Sequence, residues 1–220
     1  MMTRAELDEI IAELRQAYPG GDKCGLRFSS AVQLLVSTIL SAQCTDVRVN
    51  KVSPALFARF PDARSLADAD LSELEALIRS CGLYRTKAAN IKKCCRQLAD
   101  EYGGEVPDSI DAMTELAGTG RKTANLVMGE WFGAPAYVID THVKRIWALL
   151  GISDSTTPEA IEKDLRVLIP PEDPKSGDAL ALSHLLITHG RAVCVAGRPD
   201  CQACPISSHC AHFNGDRPDV

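Results

Sequence analysis

The sequence lacks a long apolar run. Its most apolar stretch, Ala31 to Ala42, is interrupted by Gln33, Ser37, Thr38 and Ser41, too short and too polar for the roughly 20 residues that span a bilayer. It also lacks the marks of a leader: Met1-Met2-Thr3-Arg4-Ala5-Glu6 reaches an acid at once and has no apolar core, unlike a secretory signal or an acid-poor transit peptide. A cytoplasmic protein is therefore expected, nucleoid-associated if the source is bacterial. No stretch alternates apolar and polar residues as a half-buried strand would, and neither a repeat nor a low-complexity tract is present. An excess of positive charge is missing as well. The net charge of −5, taken alone, argues against a nucleic-acid partner. What remains is an ordinary globular balance, 45% hydrophobic and 24% charged over 220 residues, enough for one large domain or two small ones.

The charge is unevenly spread. Between Ala76 and Ala99 stand Arg79, Arg85, Lys87, Lys92, Lys93 and Arg96, six cations with no acid among them. Such a run is either a solvated helix face or a local patch that attracts phosphate while the whole chain stays acidic.

Helical periodicity dominates, and the expected class is all-α. Thr3 to Glu6 is a capping box ahead of Leu7, Ile10, Ile11 and Leu14, spaced for one helix face. Residues 30–42 read as a helix apolar almost all round, hence central. Further helices are expected after Thr45-Asp46 up to Pro61, over Leu71 to Ile78 with Gly82 just beyond, and from Thr86 to Tyr102. A short helix from Asp108 or Ser109 to Ala117 faces another from Arg121 to Phe132 across Gly118-Thr119-Gly120. After an extended run, Ala136 to Ile139, helices follow from Thr141 to Leu150, from Thr157-Pro158 to Leu168, and from Asp178 to His189.

Nine cysteines are an odd and uneven count: Cys24, Cys44, Cys81, Cys94 and Cys95 are scattered and read as small buried residues. The other four, Cys194, Cys201, Cys204 and Cys210, form C-x6-C-x2-C-x5-C within seventeen residues. Disulfides are not expected inside a cell, so crowded thiols point to metal. Four-cysteine zinc sites generally use two knuckles separated by a longer loop, whereas here only Cys201 and Cys204 make a knuckle. One compact all-thiolate loop suits a [4Fe–4S] cube, each iron taking one sulfur; His209 and His212 nearby are not needed as ligands.

Two features carry possible chemistry. In Gly118-Thr119-Gly120-Arg121-Lys122, the glycines permit a tight turn whose amides, backed by the following helix dipole, form an anion cradle. Lys122 falls in that helix's first turn. A lysine amine titrates near 10.4 in isolation, but the positive helix end, neighbouring Arg121 and partial burial would each favour the neutral nucleophile. A phosphate-holding cation is the other reading. Eighteen residues later, Asp140 begins a helix in Val138-Ile139-Asp140-Thr141-His142, either as a plain N-cap or as a carboxylate that stabilises a sugar cation and moves protons.

Taken together, the chain resembles the endonuclease III family of DNA glycosylases over nearly its whole length. The carriers are Leu40-Ser41-Ala42-Gln43-Cys44-Thr45-Asp46, Gly82-Leu83-Tyr84, Gly118 to Asn125, Val138 to His142 and the four-cysteine loop. The resemblance implies a six-helix barrel domain over about residues 24–134, with a helix–hairpin–helix at about 109–132. It implies a second helical domain from 1–23 and 135–220 that carries a [4Fe–4S] cluster on Cys194, Cys201, Cys204 and Cys210. The implied partner is double-stranded DNA holding a damaged pyrimidine or an abasic site, lying in the cleft between the domains and engaged by a monomer. The implied reaction is glycosylase and lyase chemistry, with Lys122 attacking C1′ of a flipped nucleotide and Asp140 assisting. Gln43 and Leu83 would fill the gap in the duplex, Gly118, Thr119, Gly120 and Arg121 would hold the backbone, and His142 would line the pocket or serve structure. Family hairpins commonly read Leu-Pro-Gly-Val-Gly; Ala117 and Thr119 replace the proline and valine here, implying a less rigid, more polar turn. The related adenine-mismatch glycosylases lack the lysine and are expected to carry glutamate where this chain has Thr38.

Overall fold

The computed structural model describes residues 2–215; Met1 and 216–220, the outer ends of the expected second domain, lie outside the described residues. Among the described residues there are helices and turns and no strand. The chain divides into two compact units, one formed by Gly25–Gly133 and the other by Met1–Cys24 together with Ala134–Val220.

The unit Gly25–Gly133 is built around α2 (Ala31–Ser41), whose residues from Ala31 to Leu40 are buried apart from Gln33. Ser30 caps it by accepting from the Gln33 amide, and α3 (Asp46–Arg59), α6 (Tyr84–Glu101) and α8 (Arg121–Glu130) pack against it. Between them come α4 (Ala63–Asp68), α5 (Leu71–Ile78) and a single 3-10 turn, Arg79–Cys81. The short α7 (Ile110–Thr114) precedes α8. An apolar helix needs partners on every side, and α2 has them.

In the other unit, α1 (Arg4–Ala17) buries Leu7, Ile10, Ile11 and Leu14. Its capping box forms as expected, with Thr3 and Glu6 satisfying each other's backbone amides, a cap worth about 0.5–2 kcal/mol. The helices α9 (Thr141–Leu150), α10 (Pro158–Leu168) and α11 (Asp178–Ala192) complete its core around Trp147. The run Ala136 to Ile139 is buried without joining any sheet; Tyr137 donates its hydroxyl to the Ile169 carbonyl at 2.7 Å. Past α11 the chain makes two 3-10 turns, Cys201–Ala203 and Ser207–His209, which carry the cysteine loop.

Candidate functional site

The turn between α7 and α8 is held from below by α6. The Gln97 side chain accepts from the Ala117 amide at 2.9 Å and donates to the Glu115 carbonyl at 3.1 Å. A proline at 117 would have no amide to give, so alanine gains an anchor where rigidity was expected to fall. Gly118 has φ +76, and a Cβ there would lie 2.9 Å from Cβ of Asn90; both facts require glycine. Thr119 is buried, its amide donates to the Leu116 carbonyl at 3.1 Å, and its hydroxyl is enclosed near the Cys94 thiol without a hydrogen-bond partner. Thr119 thus lies inside the turn, so the more polar turn expected from the sequence carries its added hydroxyl inward. Gln97 and Cys94 were invisible as neighbours of this turn because the contacts join segments eighteen or more residues apart.

Gly120 is the N-cap of α8, and no side chain caps that helix. Arg121 and Lys122 follow as its first two residues, both exposed. The partial burial expected for Lys122 is therefore absent, because the first turn of α8 faces outward while Ala124 to Val127 face the core. Uncapped amides at a helix N-terminus attract anions.

Asp140 belongs to the other unit. It caps α9, Oδ1 accepting from the Val143 amide at 2.9 Å, and it is half-buried. The cap does not exhaust a carboxylate, which has about four acceptor positions. His142 is half-buried against α11: a Cβ on Gly190 would fall 2.7 Å from its Nδ1. The same ring nitrogen is 3.4 Å from Nη2 of Arg145.

Gln43 and Leu83 share a conformational peculiarity. Among the described residues they are the non-glycine positions with positive φ, 52° and 46°. The left-handed region costs a side chain about 1–2 kcal/mol, and such strain persists only where the surroundings enforce it. Both residues are exposed, Leu83 to 60%. Gly82, with φ 60 and ψ 151, occupies a region open essentially to glycine alone and swings Leu83 outward. An exposed leucine in a strained conformation gains nothing from burial, so folding gives it no reason to be there.

The six-cation run does not form one basic face. Lys87 is 4% exposed and spends its ammonium on the carbonyls of Leu40 and Cys81, at 2.8 and 2.6 Å. Lys92 donates to the Ala69 carbonyl, and Arg96 donates to the Ala67 carbonyl at 3.1 Å and pairs with Asp68. Arg79, Arg85 and Lys93 are exposed; Arg85 is 4.0 Å from Glu75. Half of the run closes loops from within, which a charge count cannot reveal.

The four C-terminal cysteines line one recess, together with apolar residues that include Ile146, Leu149, Val193 and Ile206. Arg145 ties down the Cys194 carbonyl at 2.6 Å, and the Cys210 thiol reaches the Leu149 carbonyl at 3.4 Å. Burial pushes the Cys204 thiol up to about 11 and raises that of Cys194. Thiolates in such surroundings need a cation beside them. Among the described residues no three His, Cys, Asp or Glu side chains converge on a single-ion site. Four thiols lining one recess are nonetheless the donor set a metal centre takes. A cube takes one thiolate per iron and has its ligands around it, and the donor set fits that group. No helix among the described residues is long and apolar enough to cross a membrane.

Residues 36–171 match the HhH-GPD superfamily of base excision DNA repair proteins. Endonuclease III of Synechocystis is 49% identical over 203 residues, 92% of this chain and 90% of the relative. Endonuclease III of Bacillus subtilis is 38% identical over 213 residues, 96% of this chain and 94% of the relative. A solved endonuclease III–DNA complex trapped as a covalent intermediate matches with a TM-score of 0.87 at 38% identity, covering 100% of both chains. A thermostable thymine-DNA glycosylase shares the fold, with a TM-score of 0.83 at 19% identity, covering 96% of this chain and 98% of that one.

Proposed function

The chain belongs to the endonuclease III family within the HhH-GPD superfamily of base excision DNA repair proteins, and from that premise we propose how this DNA glycosylase works. It removes oxidised pyrimidines from duplex DNA and then cuts the strand 3′ to the abasic site. The observation that carries the lyase step is Lys122, exposed in the first turn of a helix that no side chain caps. The uncapped amides of that turn receive a backbone phosphate without reading sequence, which brings the amine to the sugar beside it.

The damaged nucleotide leaves the stack, since C1′ cannot be reached inside it. Gln43 faces the orphaned base and Leu83 wedges between stacked neighbours, as apolar wedges do in other distorted duplexes; their exposure and left-handed backbones support that reading. The Lys122 amine, having given up its proton, forms a bond to C1′ as the bond from C1′ to the base breaks, and the base departs with the bonding electrons and takes up a proton. Asp140, half-buried at the start of α9, stabilises the developing sugar cation and carries protons. Ring opening gives a Schiff base to Lys122, which acidifies a C2′ hydrogen. Loss of that proton expels the 3′ phosphate by β-elimination, and hydrolysis frees the lysine.

Cys194, Cys201, Cys204 and Cys210 would hold a [4Fe–4S] cluster. With every iron ligated it supplies no open coordination position, only a cross-link that shapes the C-terminal loop.

Borohydride reduction on a duplex bearing one thymine glycol tests this reading. A covalent protein–DNA adduct that maps to Lys122 is the expected result. An adduct only on a preformed abasic site would leave the lyase and overturn the base preference. No adduct on either would overturn the covalent mechanism and leave a DNA-binding protein without lyase chemistry.

A further inference from the structure

Lys87 lies at the junction of the two segments that carry Gln43 and Leu83. Its ammonium donates to the Leu40 carbonyl, three residues before Gln43, and to the Cys81 carbonyl, two before Leu83. Its own backbone amide donates to the Leu83 carbonyl at 3.0 Å. One residue therefore grips the exit of α2, the end of the Arg79–Cys81 turn and the start of α6.

The carbonyls involved are the ones a helix end leaves over. At the end of α2, the Thr38 carbonyl takes the Ser41 hydroxyl and the Ser41 carbonyl takes the Cys44 amide. The Leu40 carbonyl takes the buried ammonium. Lysine is an expensive choice here, since a buried cation must be fully hydrogen-bonded to be tolerated. A methionine would pack as well, and water or a hydroxyl would satisfy a single carbonyl. Only a side chain with several donors on a long stem joins two carbonyls from separate segments. The thiols of Cys44 and Cys81 lie beside one another next to this ammonium. Burial first, then Cys44, pushes the Cys81 thiol up to about 11, so it brings no counter-charge at neutral pH. The ammonium is held by backbone dipoles, and its position reports on both segments at once.

We propose that Lys87 is a positioning residue for lesion extrusion: by joining the Leu40 and Cys81 carbonyls it holds Gln43 and Leu83 in the register needed to enter the duplex together. The two left-handed residues are each strained, and each follows a carbonyl that this ammonium fixes. The inference rests on the function proposed above, because it needs Gln43 and Leu83 to enter DNA.

The test compares two single-turnover rates for the whole protein: strand cleavage on a thymine glycol duplex, and cleavage of an abasic site in single-stranded DNA, where no base pair has to be replaced. Lys87→Met should lower the duplex rate relative to the single-strand rate by about tenfold to a hundredfold, the scale of a misplaced reacting group. Lys87→Arg, which retains donors to both carbonyls, should recover most of that ratio. 2-Aminopurine placed opposite the lesion should lose its fluorescence change in Lys87→Met and regain it in Lys87→Arg. An unchanged ratio in Lys87→Met, or an equal fall on both substrates, overturns the proposal and leaves Lys87 a purely structural residue. If Lys87→Met does not fold, Lys87→Gln goes through the same comparison, its shorter amide reaching one carbonyl, and a parental ratio again overturns the proposal. A parent protein that cuts neither substrate overturns the function itself, and this inference with it.

Discussion

The guanidinium of Arg145 donates to the carbonyl oxygen of Cys194 across 2.6 Å, so the helix that Asp140 caps also holds the first cysteine of the C-terminal loop. The same guanidinium is 3.3 Å from the Gly190 carbonyl. Bare Gly190 permits this approach, since a Cβ there would sit 3.1 Å from the Arg145 Nη2. Arg145→Met leaves both carbonyls without their donor and should destabilise the protein by about 1–3 kcal/mol, the cost of unsatisfied buried polar groups. Urea unfolding measures that loss, and iron and inorganic sulfide, expected in equal amounts in the parent, should both fall in the variant. Zinc without sulfide in the parent would contradict the cluster assignment.

Asp140 has two separable duties. Its Oδ1 accepts from the Val143 amide at 2.9 Å, and asparagine caps a helix about as well as aspartate. Asp140→Asn should therefore leave the unfolding free energy within about 0.5 kcal/mol. Losing the charge should nevertheless slow base excision by about a hundredfold or more, the lower range of what a positioned acid or base contributes. Full activity in a stable Asp140→Asn protein would reduce the residue to its cap.

At Leu83, strain and function pull in opposite directions. Glycine removes a left-handed penalty of about 1–2 kcal/mol, set against about 0.5–1 kcal/mol of extra unfolded-chain entropy. The side chain is 60% exposed, so little burial is lost. Leu83→Gly should match or exceed the parent in stability by up to about 1 kcal/mol, while excision from duplex DNA drops. A fall in stability together with retained excision would show that Leu83 serves the fold.

Much of this was legible in the chain because caps and periodicity are local. The Thr3 box and the Thr157-Pro158 start form where they were read, and of the two caps read for the short helix, Asp108 or Ser109, it is Ser109 that caps it, the helix ending at Thr114 rather than Ala117. The helix α4 escaped notice: six residues after Pro61 carry too few apolar positions to show a period, and only the Asp62–Ser65 capping box announces it. The stretch read to Phe132 stops at Glu130, and the last helix runs on to Ala192, since helix ends depend on what they meet. The exposure of Lys122, the inward turn of Thr119 and the burial of Lys87 were not legible, because each is decided by a distant segment. Within the site, residue types pointed to chemistry, but which cation faces solvent depended on packing.

That last distinction makes the basic run testable residue by residue. Each phosphate contact adds about 0.9 to the slope of log affinity against log salt. Arg79 and Arg85 are exposed, and the 4.0 Å pairing of Arg85 with Glu75 is at the surface, where such pairs contribute about 0–1 kcal/mol. Lys92 and Arg96 are engaged with the carbonyls of Ala69 and Ala67. If the exposed half of the run tracks DNA, Arg79→Ala and Arg85→Ala should each lower the slope by about 0.9 with little change in stability. Lys92→Ala and Arg96→Ala should leave the slope unchanged and cost stability instead, seen as an earlier urea midpoint. The converse pattern, with Lys92 and Arg96 setting the slope, would mean that these two cations leave their carbonyls when DNA binds, and that the helix face read here as structural is the one the backbone follows.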